Sequence, residues 1–493
     1  MKEIFNAVGH TIIGASRSKY FFYLAVSLLY LVVGYSLLDP TNFRWVVVCV
    51  IIFLLFVVTV SSVHKGIIGI LLFLAFMAFL RRAVYSVSPY AKYDPIHLVA
   101  PVLVLFLFGG IVLFDRERLS QAIKGNNLAK YIVALLGLFV LQVFNPLQGS
   151  LLVGFGGILY YVIPAVWFFL ALYYADNQLL HKLLTTIVAI AVVTGAYGLW
   201  QMSVGFLPFE RYWIEHGGFA SLHVGRFIRA FSTFSSPEEY SRYLQVGGVI
   251  AFGYFLKRKN LAWFLLFVFI SISTVMAGVR SSVFGLASSV LVFLVIWRIR
   301  DLRRAFVRLI LLASAFVAIM SFLSPPPSGS IYQSQSVFYT MAGHTARGFF
   351  DPLAERTFHF RLKLWQRLLT DIVPRNPFGY GLGSTSIAAQ KFGSLEIGTE
   401  GYIFALFVNS GVIGGLLFLI ISLAVLKKGI YLCAESEGGE ILVHLVLAII
   451  VGLFLNNVFG SSFALYSVAP IGWFLIGYLA RQTNSQTKVQ QDG

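Results

Sequence analysis

Ionisable residues are scarce in this chain. Only 12% of its 493 residues are charged, whereas 58% are hydrophobic. A water-soluble globule could not cover so apolar a chain with polar side chains. The composition therefore excludes a soluble enzyme and predicts an integral membrane protein.

Cysteine is also rare, and the two residues present, Cys49 and Cys433, have neither metal-ligand spacing nor the number that a disulfide framework needs. We interpret both as structurally incidental. The first twenty residues lack a short apolar core followed by a small-residue cleavage site, so we expect no removed signal peptide.

Acidic residues are fewer than basic ones, 20 against 37, which gives a formal net charge of +17. The basic residues form short clusters between apolar runs rather than one continuous stripe. This pattern predicts contact with the anionic headgroups of a lipid bilayer, and we expect no nucleic-acid partner.

Long apolar runs are abundant. A helix of about 20 apolar residues crosses a hydrocarbon core of about 30 Å. Runs of this kind, bounded by charged or turn residues, predict about fourteen membrane-spanning helices in an all-α polytopic protein that forms a single membrane domain over residues 1–493. The predicted spans cover residues 20–38, 45–63, 66–80, 96–114, 129–146, 151–175, 183–203, 239–256, 260–277, 281–298, 304–323, 402–426, 440–459 and 463–480.

The distribution of Lys and Arg in the short loops predicts the orientation. If the spans alternate, most basic loops lie on one side, which the positive-inside rule makes cytoplasmic, together with both termini. Arg44 and the pair Arg81 and Arg82 are exceptions on the outer side. The basic loops are 115–130, 257–260, 298–304 and the pair Lys427 and Lys428.

Two long segments, 204–238 and 324–401, remain on the outer side. Loops of this length tend to be functional or disordered. The second contains residues 357–373, whose apolar residues have helical spacing and predict an amphipathic helix. These apolar residues are Phe360, Leu364, Trp365, Leu368, Leu369 and Ile372.

Three arginines on the outer side, Arg229, Arg280 and Arg361, are candidates for binding a phosphate. Arginine keeps its charge, and its planar guanidinium matches phosphate oxygens two at a time. In a helical bundle the three could converge on one outward-facing cavity and hold a diphosphate without a metal. The alternative is that each one extends to lipid headgroups or to carbonyls at a helix end.

The outer segments also contain a candidate base. Glu400 lies where the second long segment meets a predicted span, and a carboxylate there could take a proton from a hydroxyl group. A glutamate favoured by the dipole of the following helix is the alternative. Four loop histidines, His216, His223, His344 and His359, are also available, and His344 is the second candidate for the base.

The segment Asn376–Thr385 is rich in glycine but follows no predicted strand, which argues against a nucleotide loop. Its glycines permit either a close approach of the backbone to helix ends or to a sugar, or a plain turn.

Taken in order, four short patterns resemble the O-antigen ligase/polymerase family of bacterial envelope glycan enzymes. They are Arg229 with Ser232, Thr233, Phe234 and Pro237; Val279 with Arg280; Arg361 with Trp365, Pro377, Gly379, Gly381 and Gly383; and Gly411 with Gly414, preceded by Glu400.

The resemblance implies a GT-C-like, metal-independent glycosyltransferase without a cofactor, in the bacterial inner membrane and with a periplasmic active site. Its partners would be an undecaprenyl-diphosphate-linked glycan donor, a glycan acceptor and, in some cases, a chain-length regulator. Arg229 and Arg361 would hold the diphosphate, Arg280 would support them, and Glu400 would be the base. Further substrate contacts would come from Ser232, Thr233, Trp365, Gly381, Gly383 and His344.

Where the ligases of this family have histidine, this chain has Glu400, which favours a polymerase of lipid-linked repeat units. A ligase that moves the finished glycan to a lipid A core remains the alternative. A transporter or flippase is the third reading. It would need ionisable residues inside the spans, where the chief polar residues of this sequence are Asn409, Asn456 and Asn457.

Overall fold

A computed structural model describes residues 42–89, 93–217, 222–297, 336–350, 356–392, 397–435 and 441–489. These residues are mostly helical and contain one pair of two-residue strands. The predicted spans at 20–38 and 304–323 and both ends of the chain lie outside the described residues.

The helices of the first half are α1 (Phe43–Ser61), α2 (Val63–Tyr85), α3 (Val99–Phe114), α4 (Arg116–Lys124), α5 (Asn127–Val143), α6 (Leu151–Tyr174), α7 (Asn177–Ser203) and α8 (Pro208–Gly217). An antiparallel hairpin of β1 (His223–Val224) and β2 (Phe227–Ile228) follows. The second half contains α9 (Pro237–Arg258), α10 (Leu261–Met276), α11 (Arg280–Ile296), α12 (Val337–Phe350), α13 (Arg356–Arg367), α14 (Ile387–Lys391), α15 (Tyr402–Glu435), α16 (Ile441–Phe459) and α17 (Ala469–Val489).

Seven described helices are long and apolar enough to cross a membrane, or up to eight if the bent pair α4 and α5 counts as one span. The seven are α1, α2, α3 with the turn before it, α6, α7, α15 and α16. The chain is therefore an all-α membrane protein. Each predicted span that lies within the described residues overlaps a helix, but α10 and α11 are short. The count of about fourteen spans stays a prediction.

The predicted outer segments contain regular structure. The first includes α8 and the β hairpin, and the second includes α12 and α13. The amphipathic helix expected at 357–373 corresponds to α13 and the π-helical turn Leu368–Ile372 that continues it.

The described chain groups into two compact units. One consists of the described residues within 1–120 and 206–220, and the other of the described residues within 121–205 and 221–493. The single membrane domain over residues 1–493 stays a prediction.

In the first unit, one buried aspartate pairs with two arginines. Asp94 Oδ2 accepts from Arg44 Nη1 and from Arg81 Nε, each at 2.7 Å, and the side chains of Asp94 and Arg44 are almost fully buried. Asp94 Oδ1 also accepts from the amide of Ile96 and so caps the turn Pro95–Leu98. The ion pairs thereby connect the starts of α1 and α3 to the end of α2.

A second buried pair holds α8 in the same unit. Arg82 Nη2 lies 3.7 Å from Glu210 Oε1, and the Arg82 guanidinium stacks over the ring of Trp213. The arginines that ran against the positive-inside rule are thus mostly or fully buried and paired with carboxylates. They say little about orientation, because that rule concerns basic residues exposed in loops.

In the second unit, glycines let helices pack closely. Gly247 of α9 lies against Ala191 of α7, Gly253 of α9 against Leu445 of α16, and Gly477 of α17 against the carbonyl of Phe168 in α6. In a bilayer, where helices gain little from burying apolar surface, such close van der Waals contact is the main source of association.

A glycine strip, residues 376–385, pairs with a break in α15. Tyr380 and Gly381 donate their amides to the carbonyls of Val408 and Asn409, at 2.8 and 3.1 Å, and Val412 N donates to Pro377 O at 2.9 Å. The break lies at Gly411, with φ 71° and ψ −171°, a conformation open essentially to glycine alone. The sequence alone left open whether residues 376–385 approach a helix or a sugar closely or form a plain turn. In the structure their backbone approaches a helix closely.

Replacing Asp94 by Asn should destabilise the protein strongly. Asn can keep the cap to Ile96 but removes the charge that balances Arg44 and Arg81. Leaving a buried charge without its partner costs about 3–5 kcal/mol. Unfolding of the purified protein in detergent measures the loss. Glu117→Gln, at an exposed position of α4, is the control, and equal unfolding midpoints for the two variants would contradict the role of Asp94.

Candidate functional site

The loop between the β hairpin and α9 places Arg229. The amide of Arg229 donates to the carbonyl of Leu222 at 2.7 Å, which closes the hairpin. Three residues later the chain turns at Ser232, which has φ 50°. Gln201 of α7 accepts from the Ser232 amide at 2.8 Å, and the Ser232 hydroxyl donates to Thr194 O at 2.7 Å. The loop is thus fastened to α7.

Ser236 caps the start of α9, and Glu238 lies in the first turn of this helix. Ser236 Oγ accepts from the amide of Glu239 at 3.1 Å. The buried carboxylate of Glu239 accepts from Ser235 and, at 2.8 Å, from the amide and hydroxyl of Ser467. Glu239 is therefore structural. Glu238 is part of the site described next.

Arg229 lies near Glu238 and Arg280. Burial lowers the pKa of Arg229 from its ordinary value, Glu238 raises it, and Arg280 lowers it further. The Arg229 side chain packs against Gly278, where an added Cβ would lie 3.3 Å from Arg229 Cδ. Gly278 has φ 68°, so the turn between α10 and α11 also favours glycine.

Arg280, at the first position of α11, is bound to α12. Its Nε donates to the carbonyl of His344 at 3.2 Å, and its Nη2 lies 3.2 Å from His344 Nδ1. Burial lowers the pKa of His344 to about 3, and Arg280, Arg229 and Arg347 contribute to the decrease. A nitrogen that binds a proton so weakly is a poor general base.

Arg361 and Glu400, which the sequence analysis assigned to the same site, form an ion pair. Arg361 Nε and Nη2 each lie 3.2 Å from Glu400 Oε2. The indole of Trp365, one turn further along α13, donates to the Glu400 carbonyl at 2.8 Å and stacks on Phe404 of α15 with ring centres 4.9 Å apart. Trp365 thus holds the backbone that carries Glu400.

A fourth guanidinium, that of Arg242, connects these pairs. It is fully buried on α9, and its Nη2 lies 3.1 Å from Glu238 Oε1 and 3.2 Å from Ser281 Oγ. Arg361 is close enough to interact with it electrostatically. We call the six side chains of Arg229, Arg242, Arg280, Arg361, Glu238 and Glu400 the arginine cluster.

Sequence reasoning brought Arg229, Arg280, Arg361 and Glu400 into one hypothesis. In the structure two ion pairs, Arg361 with Glu400 and Arg242 with Glu238, and electrostatic interactions between them and with Arg229 and Arg280 connect these residues. Arg242 was missed because it lies within residues 239–256, whose composition predicts an apolar span. One signal was present in the sequence. Glu238 and Arg242 are four residues apart, the spacing of an ion pair on one helix face.

Other predicted contact residues have partners within the protein. The Ser232 hydroxyl bonds to α7, and Thr233 beside it is buried. Gly381 packs on Gln148, and Gly383 on the Val153 carbonyl. A Cβ at either glycine would collide with these atoms, so both have a packing reason to be glycine. Substrate contacts by these residues stay a prediction.

The described residues contain no group of three or more His, Cys, Asp or Glu side chains arranged to hold a metal ion. The sequence matches no model of a known protein family, and a search of curated proteins finds no match.

The arginine cluster combines two chemical capacities. Guanidinium groups bind anionic oxygens through charge-assisted hydrogen bonds. A carboxylate next to them, with a partly exposed side chain in the case of Glu400, can accept a proton. The site therefore fits an anionic ligand beside a group that loses a proton.

His344→Gln should make the protein less sensitive to acid. Because the pKa of His344 in the folded chain, about 3, lies below the ordinary 6.5, protonation favours the unfolded chain. Stability from this residue is complete above about pH 6.5 and falls toward pH 3, by about 2 kcal/mol at pH 5.

Unfolding midpoints at pH 7 and pH 5 test this difference. The variant, in which the Gln oxygen can still accept from Arg280, should lose less stability than the wild type over this interval. An equal loss in both proteins would contradict the burial of a neutral imidazole.

Proposed function

We propose that this protein is a glycosyltransferase that lengthens lipid-linked oligosaccharides, with an undecaprenyl-diphosphate-linked glycan as donor. The observation that carries the proposal is the arginine cluster, in which Arg361 contacts Glu400 and, through Arg242 and Glu238, connects to Arg229 and Arg280. The order of these residues resembles that of the O-antigen ligase/polymerase family.

The reaction transfers a sugar from a diphosphate to a hydroxyl group. The bond between the anomeric carbon and the diphosphate oxygen breaks, and its electron pair stays on the diphosphate. The acceptor oxygen bonds to the anomeric carbon and gives its proton to Glu400. Negative charge grows on the leaving diphosphate, so fixed guanidinium groups stabilise the transition state more than the ground state.

The pair between Arg361 and Glu400 supports both roles. A guanidinium has five N–H donors, and Arg361 uses Nε and Nη2 on one oxygen of Glu400. It can bind a phosphate oxygen while it keeps Glu400 in place. Glu400 is preferred to His344 as the base because both ring nitrogens of His344 lie within 3.3 Å of Arg280 Nη2, where a bound proton would face a guanidinium cation.

The proposal places the cluster at the periplasmic face of a bacterial inner membrane, with both termini in the cytoplasm and about fourteen spans in a GT-C-like arrangement. The donor, a glycan acceptor and the bilayer are its partners, and a separate chain-length regulator is compatible with it. It needs neither a metal nor a cofactor.

Glu400→Gln should reduce chain lengthening by about 10²- to 10⁴-fold, the usual contribution of a general base. Arg229→Ala and Arg361→Ala should also reduce it, because each removes a group assigned to the diphosphate. The measurement is the rate at which purified protein in liposomes extends lipid-linked repeat units.

The matched controls are Asp371→Asn and Arg375→Ala. These residues form an ion pair with the same four-residue spacing as Glu238 and Arg242, and Arg375 is exposed. Both controls should keep wild-type rates. Full-length polymer from Glu400→Gln would exclude Glu400 as the base, and lipid scrambling without glycan synthesis would favour the transporter.

Cells that lack the protein should accumulate single lipid-linked repeat units, because a polymerase joins them. A size ladder of lipid-linked glycan measures this directly. Full-length polymer that is not attached to an acceptor would instead identify a ligase, which uses the same donor with a different acceptor.

A further inference from the structure

Arg242 is the least satisfied charged side chain of the arginine cluster. Its Nη2 bonds to Glu238 and Ser281, but within the described part of the chain its Nε and Nη1 are buried without a hydrogen-bond partner. A buried guanidinium with two unused donor nitrogens is costly, since each lacks the bonds that water would supply. An unsatisfied buried polar group in a native structure calls for an explanation, and a bound anion that supplies the missing acceptor is one.

The surroundings of Arg242 favour an anionic acceptor. Arg361 is a second positive charge beside it. The six side chains of the arginine cluster have four guanidinium groups and two carboxylates, a positive surplus of two. A diphosphate diester carries one negative charge on each phosphate and would balance this surplus.

We propose that Arg242 is a further substrate-binding residue, which donates through Nε and Nη1 to the diphosphate group shared with Arg361. This inference rests on the proposed function and adds to it a buried residue of α9. Glu238 has a positioning role, since its bond to Nη2 fixes the guanidinium and leaves the other two donors for the ligand.

The backbone around Gly460 fixes the same pair from the other side. A Cβ at Gly460 would collide with both Glu238 Oε1 and Arg242 Nη2. The Gly460 carbonyl accepts from the amide of Tyr402 at 2.9 Å, two residues after Glu400. The pair therefore lies next to the turn that carries the proposed base, and Gly460→Ala would displace it without changing any charge.

Binding of inorganic pyrophosphate tests this inference without glycan synthesis. The full-length protein in detergent is titrated with pyrophosphate and, separately, with inorganic phosphate, and binding is followed by calorimetry. Arg242→Met should weaken pyrophosphate binding by roughly 10- to 100-fold, the loss expected for one or two charge-assisted bonds. Gly460→Ala should weaken it as well, and Arg242→Lys should restore part of the affinity.

The double variant Glu238→Gln with Arg242→Met separates binding from stability. It removes both charges of the ion pair together, so no unpaired charge is left at the buried position of Arg242. Its unfolding midpoint should therefore stay near that of the wild type while pyrophosphate binding falls. The matched control, Asp371→Asn with Arg375→Met, makes the same change in an ion pair on an exposed segment and should bind normally.

Wild-type pyrophosphate affinity in the folded double variant would overturn the inference about Arg242. If Arg229→Ala and Arg361→Ala still weakened binding, the proposed function would stand without it. If pyrophosphate binding depends on Arg242 but the protein does not lengthen glycan, the inference about Arg242 stands and the proposed function is wrong. Equal affinity for phosphate and pyrophosphate would assign the site to single phosphates, such as lipid headgroups, and would overturn the diphosphate assignment.

Discussion

The pairing of buried arginines with carboxylates is the interaction on which the arrangement of the helices depends. A guanidinium removed from water needs a nearby carboxylate, because the desolvation cost is otherwise several kcal/mol. The pairs Arg44 with Asp94 and Arg82 with Glu210 join α1, α2, α3 and α8 in the first unit. In the second, the same requirement places Glu238 beside the buried Arg242. The partly exposed pair of Arg361 and Glu400 joins α13 to the start of α15.

The two kinds of ion pair differ in their exposure to solvent. In the first unit a single carboxylate, Asp94, serves two arginines, and all three are mostly or fully buried. These pairs are closed and structural. In the arginine cluster guanidinium groups also outnumber carboxylates, but both carboxylates are partly exposed. An open site with surplus positive charge attracts anions, and so the cluster rather than the first unit is the candidate for function.

Besides ion pairs, close packing at glycine residues holds the second unit together. The glycine strip enters a break in α15 that only Gly411 permits, and its amides use the carbonyls that the break exposes. Gly278 and Gly460 have a different role, since they leave room for the side chains of Arg229 and of the Glu238 and Arg242 pair. The packing of small residues thus sets the positions of the large charged ones.

The sequence by itself determined the class of structure. Scarce charge and long apolar runs are enough to predict an all-α membrane protein, and helical spacing was enough for the amphipathic α13, because both depend on local composition and periodicity. Arg229, Arg280, Arg361 and Glu400 could be selected because they depart from that composition. Only the tertiary structure decided which of them meet and which are joined by Arg242. It also showed that Ser232 bonds to α7 and that Gly381 packs on Gln148. The physical reason is that ion pairing and close packing depend on distances between segments far apart in the chain, which no local pattern encodes.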